Sequence, residues 1–450
     1  MAPGWARRLG VTALTGGMVL LTACGQAAAP SSTAAAANSS GSASSSSGSS
    51  TSAAATSSAS SAGSSGSVTI GLLAPLTGTR ADLGKGMQEG AQLAIDDINA
   101  NGGVLGRQVK LVSQDTAADP ADAVPAAQQE ISVDHVAAIV GPTSITAGVV
   151  LPLAQQANIP DLMFGGGSVF DKNTNPYFFR MSPSDSEQSD AMAVYAHSKG
   201  WNKIALAFGA SSGSQPLVPP LLDGAKAMGM QVTANVTFTA NQSSYRSEIT
   251  KLFAGHPQAI ISQFNEQTAG VVFGELGQMG LLSTPWIGSN LWYTNTFFKS
   301  VGAQVATGQI YIVNSSSTGM TAAPHFLDML KSKLSLDTPP NGAEFMYDAV
   351  MVWALGADRA GTLQMTDLRT KGILPDAQTG GTVCGDYATC YGLIKQGKAI
   401  QWEGVASTDQ FDQYDNVYGP FAIFHYKTDG SVDQLANLTP QQIQSALSGS

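Results

Sequence analysis

Gly209-Ala210-Ser211-Ser212-Gly213 fits the G-x-S-x-G pattern that presents a serine nucleophile, and Asp and His residues follow it in the order of a hydrolase triad. A nucleophile turn of that kind feeds at once into a helix. Here Pro216, Pro219 and Pro220 delay one, and Ser and Gly are abundant along the chain, so a serine hydrolase using Ser211 is the weaker reading and no enzyme activity is expected. The histidines His135, His197, His256, His325 and His425 and the three cysteines are scattered, without H-E-x-x-H or C-x-x-C pairing, so neither a metal nor a cofactor is expected. A formal net charge of −10 with only 12% charged residues offers no cationic surface to nucleic acid. No G-x-x-x-x-G-K-[ST] loop occurs, so any nucleotide-driven work lies on another chain.

The remaining candidate chemistry is binding, in two loops that each follow an apolar run. Thr143-Ser144-Ile145-Thr146 and Gly165-Gly166-Gly167-Ser168 place hydroxyls and unhindered backbone N–H groups where a strand ends. In open α/β sheets ligands settle beyond the carboxyl ends of the strands, where helix N-termini favour anions. Ser144 and Ser168 are the expected hydroxyl contacts and Gly166 a backbone contact, with Thr143 and Gly167 beside them. The same residues also fit plain helix caps and turns.

The elements that must hold these loops are legible in outline. With 450 residues and 43% hydrophobic content, the chain needs more than one core. Arg7 and Arg8, an apolar run over 9–23 and then Leu21-Thr22-Ala23-Cys24-Gly25 read as an export sequence too short to span a bilayer comfortably. Leu-Thr-Ala-Cys resembles a bacterial lipobox. Residues 1–23 are therefore expected to be a lipoprotein signal peptide, Cys24 a lipid anchor, and 24–67, made almost wholly of Ala, Ser, Gly and Thr, a flexible tether.

From Val68 onward strands alternate with helices. An apolar run over 68–74 reads as a buried strand closed by Pro75. Helical spacing over 87–100 is stopped by Asn101-Gly102-Gly103. A strand over 108–112, a helix over 120–133, a strand over 137–140, a helix over 148–157 and strands over 161–164 and 177–180 follow. The cycle restarts with helix 186–199, strand 203–208, helix 217–228, strand 231–238, helix 245–253, strand 258–263, helix 269–279 and strand 284–288. A long helix over 342–360 and a strand-like run over 421–426 must return to one unit or the other. The repetition implies two units, each a parallel sheet covered on both faces.

Gly71-Leu72-Leu73-Ala74-Pro75-Leu76-Thr77-Gly78, Gly90-Ala91-Gln92-Leu93-Ala94-Ile95-Asp96-Asp97-Ile98-Asn99, Asn101-Gly102-Gly103-Val104-Leu105-Gly106, Val140-Gly141-Pro142 and Tyr347-Asp348-Ala349-Val350, in that order, resemble the branched-chain amino acid type of ABC-transporter substrate-binding protein. The resemblance spans 68–450. It implies a type I periplasmic-binding-protein fold, two doubly wound α/β lobes joined by three crossing hinge segments near 182–186, 312–316 and 417–421. Lobe 1 would comprise 68–184 plus 315–418, and lobe 2 would comprise 185–314 plus 419–450. It further implies a monomer, lipid-anchored on the outer face of the bacterial cytoplasmic membrane, that delivers a small polar molecule to an ABC permease and ATPase on other chains. A ligand-sensing receptor of the same fold is the rival reading. Delivery is preferred because nothing in the sequence after the lobes provides a membrane-spanning output segment.

In that family Ser144, Gly166 and Ser168 fall where a ligand carboxylate is held. The second lobe departs from the pattern, because Asn290 stands where relatives place an acid for the ligand ammonium. Either another carboxylate such as Glu266, next to Asn265, takes that role, or the ligand has no α-amino group. Leu83 and Gln215 occupy the loop positions where some relatives carry aromatics, and Trp292 and Tyr293 fit either the cleft or the core. Cys384 and Cys390 enclose five residues in an exported chain and are expected to form a local disulfide.

Overall fold

Short apolar strands buried on both faces are stable only when helices cover them above and below, and the first half of the chain is built that way. A computed structural model describes residues 66–211 and 213–448; Cys24, the expected leader over 1–23 and all but the last two residues of the expected tether over 24–67 lie outside the described residues. Strands β1 (Val68–Ala74), β2 (Val109–Asp115), β3 (Ile139–Thr143), β4 (Asp161–Phe164) and β5 (Phe178–Arg180) form a five-stranded parallel sheet in the order β2-β1-β3-β4-β5. Gly71 at its centre lies opposite Val112 on one side and Ile139 on the other. Helices α1 (Ala81–Ala100), α2 (Pro120–Ser132) and α3 (Ala147–Ala157) cover it.

Helix α1 begins at Ala81, not at Met87 as the apolar spacing alone indicates. The added turns contain Gly84 and Gly86. In the structure a Cβ on Gly84 would collide with the carbonyl of Pro75, and one on Gly90 with the carbonyl of Ala343. Close backbone approach, rather than turn formation, accounts for these glycines. The contact at Gly90 seats the long helix Ala343–Ala360 on α1, where Met346, Tyr347, Val350, Trp353 and Ala354 are fully buried. Asp97 of α1 fastens the junction, accepting hydrogen bonds from Tyr347 Oη at 3.1 Å and pairing with His325 Nε2 at 2.9 Å.

Strands β11 (Thr382–Cys384) and β12 (Ile400–Trp402) form a small parallel pair against the same core. Cys384 ends β11 and Cys390 lies in the helix Tyr387–Lys395; the structure pairs them with Cα atoms 5.6 Å apart.

The second sheet has seven strands. Helix α4 (Asp185–Ser198) leads into β6 (Lys203–Gly209), followed by α5 (Val218–Ala227), β7 (Gln231–Phe238), α6 (Arg246–Phe253), β8 (Ala259–Gln263), α7 (Glu266–Met279), β9 (Trp286–Gly288) and β10 (Ile310–Ser315). Strand β13 (Phe421–Tyr426) adds antiparallel to β10 and β14 (Val432–Leu438) antiparallel to β13, giving the order β14-β13-β10-β9-β8-β6-β7. For the run over 310–315 the resemblance implies only a crossing segment near 312–316. It is a paired strand, because β13 returns to satisfy its free edge. Strand β14 is partly exposed and its apolar residues are interrupted by Asp433, Gln434 and Asn437, as an edge strand's can be, which hides it from a hydrophobicity reading.

Both sheets belong to one compact unit. The chain passes between them after Arg180, after Ser315 and before Phe421. These passages lie together: Ser316 N donates to Pro420 O at 3.0 Å, and a Cβ on Gly419 would lie 2.6 Å from Pro183 Cγ. Among the described residues no helix is long and apolar enough to cross a membrane.

Candidate functional site

At the end of β3, Thr143 N donates to Thr146 Oγ1 at 3.1 Å and Thr146 N donates to Thr143 O at 2.9 Å, a tight turn that starts α3. The turn presents Ser144, whose Oγ accepts a hydrogen bond from Gly167 N at 2.9 Å. Thus the two loops singled out in sequence meet. Ser144 is half-buried, and accepting from Gly167 leaves its hydroxyl proton available. Thr143 is buried, and its Oγ1 has no partner.

The glycine loop is held from behind. Gly165 N donates to Ser182 Oγ at 2.9 Å, Asp185 N donates to Gly166 O at 2.7 Å, and Arg180 donates to Gly167 O at 2.7 Å. A Cβ on Gly166 would strike the Asp185 carboxylate, so only glycine fits there. Ser168 opens a short 3-10 turn, and its hydroxyl and N–H, like the N–H of Gly166, have no acceptor among the described residues. The loop therefore offers unspent donors at a strand terminus, the arrangement that suits a carboxylate or a comparable acceptor.

Arg180, fully buried, organises this region. It pairs with Asp171 at 2.7 Å, and Asp171 also accepts from Ser184 Oγ and Ser186 Oγ, each at 2.7 Å. Ser184 caps α4 in a reciprocal box with Glu187. Burial lifts the Asp185 carboxyl to about 6, against the opposing pull of Arg180. Sequence reading missed Arg180, Asp171 and Asp185. Their only local signal was the cap spacing Ser184 to Glu187.

On the other sheet the expected residues share the strand-terminal edge but differ in availability. Gln215 turns back, its Nε2 donating to Gly209 O at 2.7 Å. Asn265 caps α7, its Oδ1 accepting from Thr268 N at 2.9 Å, and Glu266 opens that helix half-buried and, among the described residues, without an ion-pair partner. Asn290 is exposed at the start of the turn after β9. Trp292 is core: it is fully buried, its indole N–H donates to Phe264 O at 3.0 Å, and its ring stacks on Phe297 at 4.7 Å. Tyr293 keeps 37% of its surface exposed and packs edge-on to Phe424. Leu83, half-buried in α1, sits beside Gly342, just before the helix Ala343–Ala360. Ser211 Oγ bonds Ser214 Oγ at 3.0 Å, not a histidine, so the hydrolase pattern builds no triad.

One parallel and one mixed α/β layer, with donor-rich loops at their strand ends, have the architecture of a bilobal binding protein. The chain belongs to the periplasmic binding protein family, which matches it over residues 67–439. It is 27% identical over 311 residues to the Leu/Ile/Val-binding protein BraC3 of Rhizobium johnstonii, covering 66% of this chain and 80% of that protein. A glutamate receptor of Arabidopsis thaliana, receptor 2.4, is 24% identical over 267 residues, covering 56% of this chain and 29% of the receptor. Among solved structures, the branched-chain amino acid transporter substrate-binding protein LivJ of Streptococcus pneumoniae, in complex with isoleucine, matches with a TM-score of 0.62 at 23% identity, covering 83% of this chain and all of that one. A solute-binding protein of R. palustris in complex with benzoate matches with a TM-score of 0.62 at 17% identity, covering 83% of this chain and 97% of that one. The fold is that of the type I periplasmic binding proteins, as these structural likenesses show.

Proposed function

We propose that this protein is a lipid-anchored extracytoplasmic receptor that captures a small carboxylate-bearing molecule between its lobes and delivers it, as a monomer, to an ABC permease and ATPase on other chains. The observation that carries the reading is the junction of Ser144 with the Gly165–Ser168 loop, with donors left unused at Gly166 and Ser168. Lobe 1, over 68–184 and 315–418, holds the carboxylate end first. Lobe 2, over 185–314 and 419–450, then closes over it by bending at the three adjacent passages, and the closed form is what the permease recognises. Cys24 carries the lipid, 24–67 is the tether, and Cys384 and Cys390 form a disulfide that pins the β11 region in an oxidising compartment.

Calorimetric titration across the twenty amino acids and their des-amino acids tests the reading. Ser144→Ala and Ser168→Ala are each expected to weaken the tightest ligand by ~1 to 2 kcal/mol, or more where the hydroxyl meets a charged acceptor. Indifference of every bound ligand to both substitutions would remove the site from these loops.

A further inference from the structure

After β12 the chain makes a tight turn, closed by Gly404 N donating to Ser407 O at 3.1 Å, that touches all three passages between the sheets. Ala322, beyond the second passage, donates its N–H to Gly404 O at 3.4 Å, and Thr408 N donates to Tyr418 O, in the third, at 3.2 Å. A Cβ on Gly419 would lie 2.8 Å from Ala406 O and 2.6 Å from Pro183 Cγ, so the turn meets the third passage where it packs on the first.

Two acids hold this turn. Asp348, on the helix Ala343–Ala360, accepts from Val405 N at 2.8 Å and from Ala406 N at 2.9 Å. Asp409, at the end of the turn and in the left-handed region with φ 47°, accepts from Trp402 Nε1 at 2.9 Å and from Ser407 Oγ at 2.6 Å. Both acids are fully buried. A Cβ on Gly404 would strike Oδ2 of both, so the two carboxyl groups face each other across the room that one methyl group would fill. Among the described residues neither has an ion-pair partner. The nearest ionisable neighbours are acids too: Glu344, one turn earlier on the same side of the helix, and Glu403, which accepts from Thr321 Oγ1. Tyr347 and His325 are turned to Asp97 instead.

Two carboxylates this close, out of water and with no cation between them, do not both stay ionised. Burial lifts both carboxyls against the pull of the hydrogen bonds they accept, and the charge of Asp409 lifts Asp348 further. One proton held between the facing oxygens turns repulsion into a short O–H···O bond and leaves a single negative charge for the surrounding donors.

We propose that Asp348 and Asp409 share one proton and act together as a pH-sensitive latch: protonated, the pair ties the turn over 404–409, and with it the three passages, to the long helix of the first lobe, and loss of the proton frees the turn and loosens the hinge. The effect on lobe closure rests on the two-lobe reading above; the shared proton does not. The closed turn keeps a proton that the opened turn gives up, so the stabilisation is intact below the ordinary aspartate value of 3.8 and is lost as pH climbs above it.

Hydrogen exchange of the full chain without ligand, corrected for the intrinsic pH dependence of exchange, tests the latch. Between pH 6 and pH 8 protection at Val405 and Ala406 should fall about tenfold per pH unit in wild type. It should fall less than twofold per unit in Asp409→Asn, where an amide N–H stands permanently in place of the shared proton. Segments 182–184 and 417–420 should lose protection together with the turn. Unfolding in urea at pH 7 should release about one proton more from wild type than from the variant. If Asp409→Asn does not fold, Asp348→Asn removes the other half of the pair and carries the same expected differences. Equal proton release with parallel exchange profiles overturns the shared proton. Passages that keep their protection while the turn loses it overturn the latch. Exchange that responds to replacing sodium and potassium by choline, and not to pH, means that a bound cation joins the acids and overturns the proposal as well. None of these results uses a ligand, so the carboxylate site stands or falls separately, by the titrations given for it.

Discussion

Glu130→Met should stabilise the protein, and more strongly as pH rises. Glu130 lies on α2 with its carboxyl against Gly71 of β1, fully buried, and neither oxygen has a hydrogen-bond partner among the described residues. Burial, reinforced by Asp134, pushes it up to about 9. A carboxyl raised in the folded state favours folding only while the unfolded chain is also protonated. Its contribution is therefore intact below the ordinary value near 4.5 and is lost progressively as pH climbs to 9. Across that window the group costs about 1.4 kcal/mol per pH unit, or about 3 kcal/mol at pH 7. Methionine has similar volume and carries no proton equilibrium into the core. Urea unfolding at pH 5 and pH 8 should show the variant's advantage growing by roughly 4 kcal/mol over that interval. Parallel pH profiles for wild type and variant would mean that Glu130 is solvated or paired in the native protein.

Arg180→Met is expected to have the opposite effect and a comparable size. The guanidinium is fully buried and grips Asp171 and the carbonyl of Gly167 at once. Its removal strands Asp171 among two hydroxyls and takes the nearest positive charge from Asp185 and Glu187. Breaking a buried pair from one side costs about 3 to 5 kcal/mol. Ligand affinity should fall too, because the glycine loop loses its support. Arg180→Lys should recover only part of either property, since an ammonium cannot reproduce a two-armed contact. Denaturant unfolding with ligand titration measures both. A loss of stability below about 1 kcal/mol would show that the network is dispensable.

These two positions illustrate what was and was not legible in the sequence. Strands such as β1 and β4, and helices such as α2 and α3, announce themselves because apolar runs and caps are local signals, and they surface within a residue or two of where the pattern puts them. The start of α1 was hidden because Gly84 is explained by a carbonyl on another segment. Strand β10 was hidden because its partner β13 lies more than a hundred residues away. The loops at Ser144 and Gly165–Ser168 were visible from type and position, whereas their contact through Gly167 N was not. Arg180 reads in sequence as the last residue of an ordinary strand.

The central claim is capture of a ligand between two lobes that close on it. Small-angle scattering of the protein with and without saturating amounts of its tightest-binding amino acid tests this most directly. The account predicts a smaller radius of gyration on saturation, with the compaction reached only at higher ligand concentration in Ser144→Ala. A radius of gyration that does not change at saturation would contradict it and would mean that the ligand sits on a rigid surface.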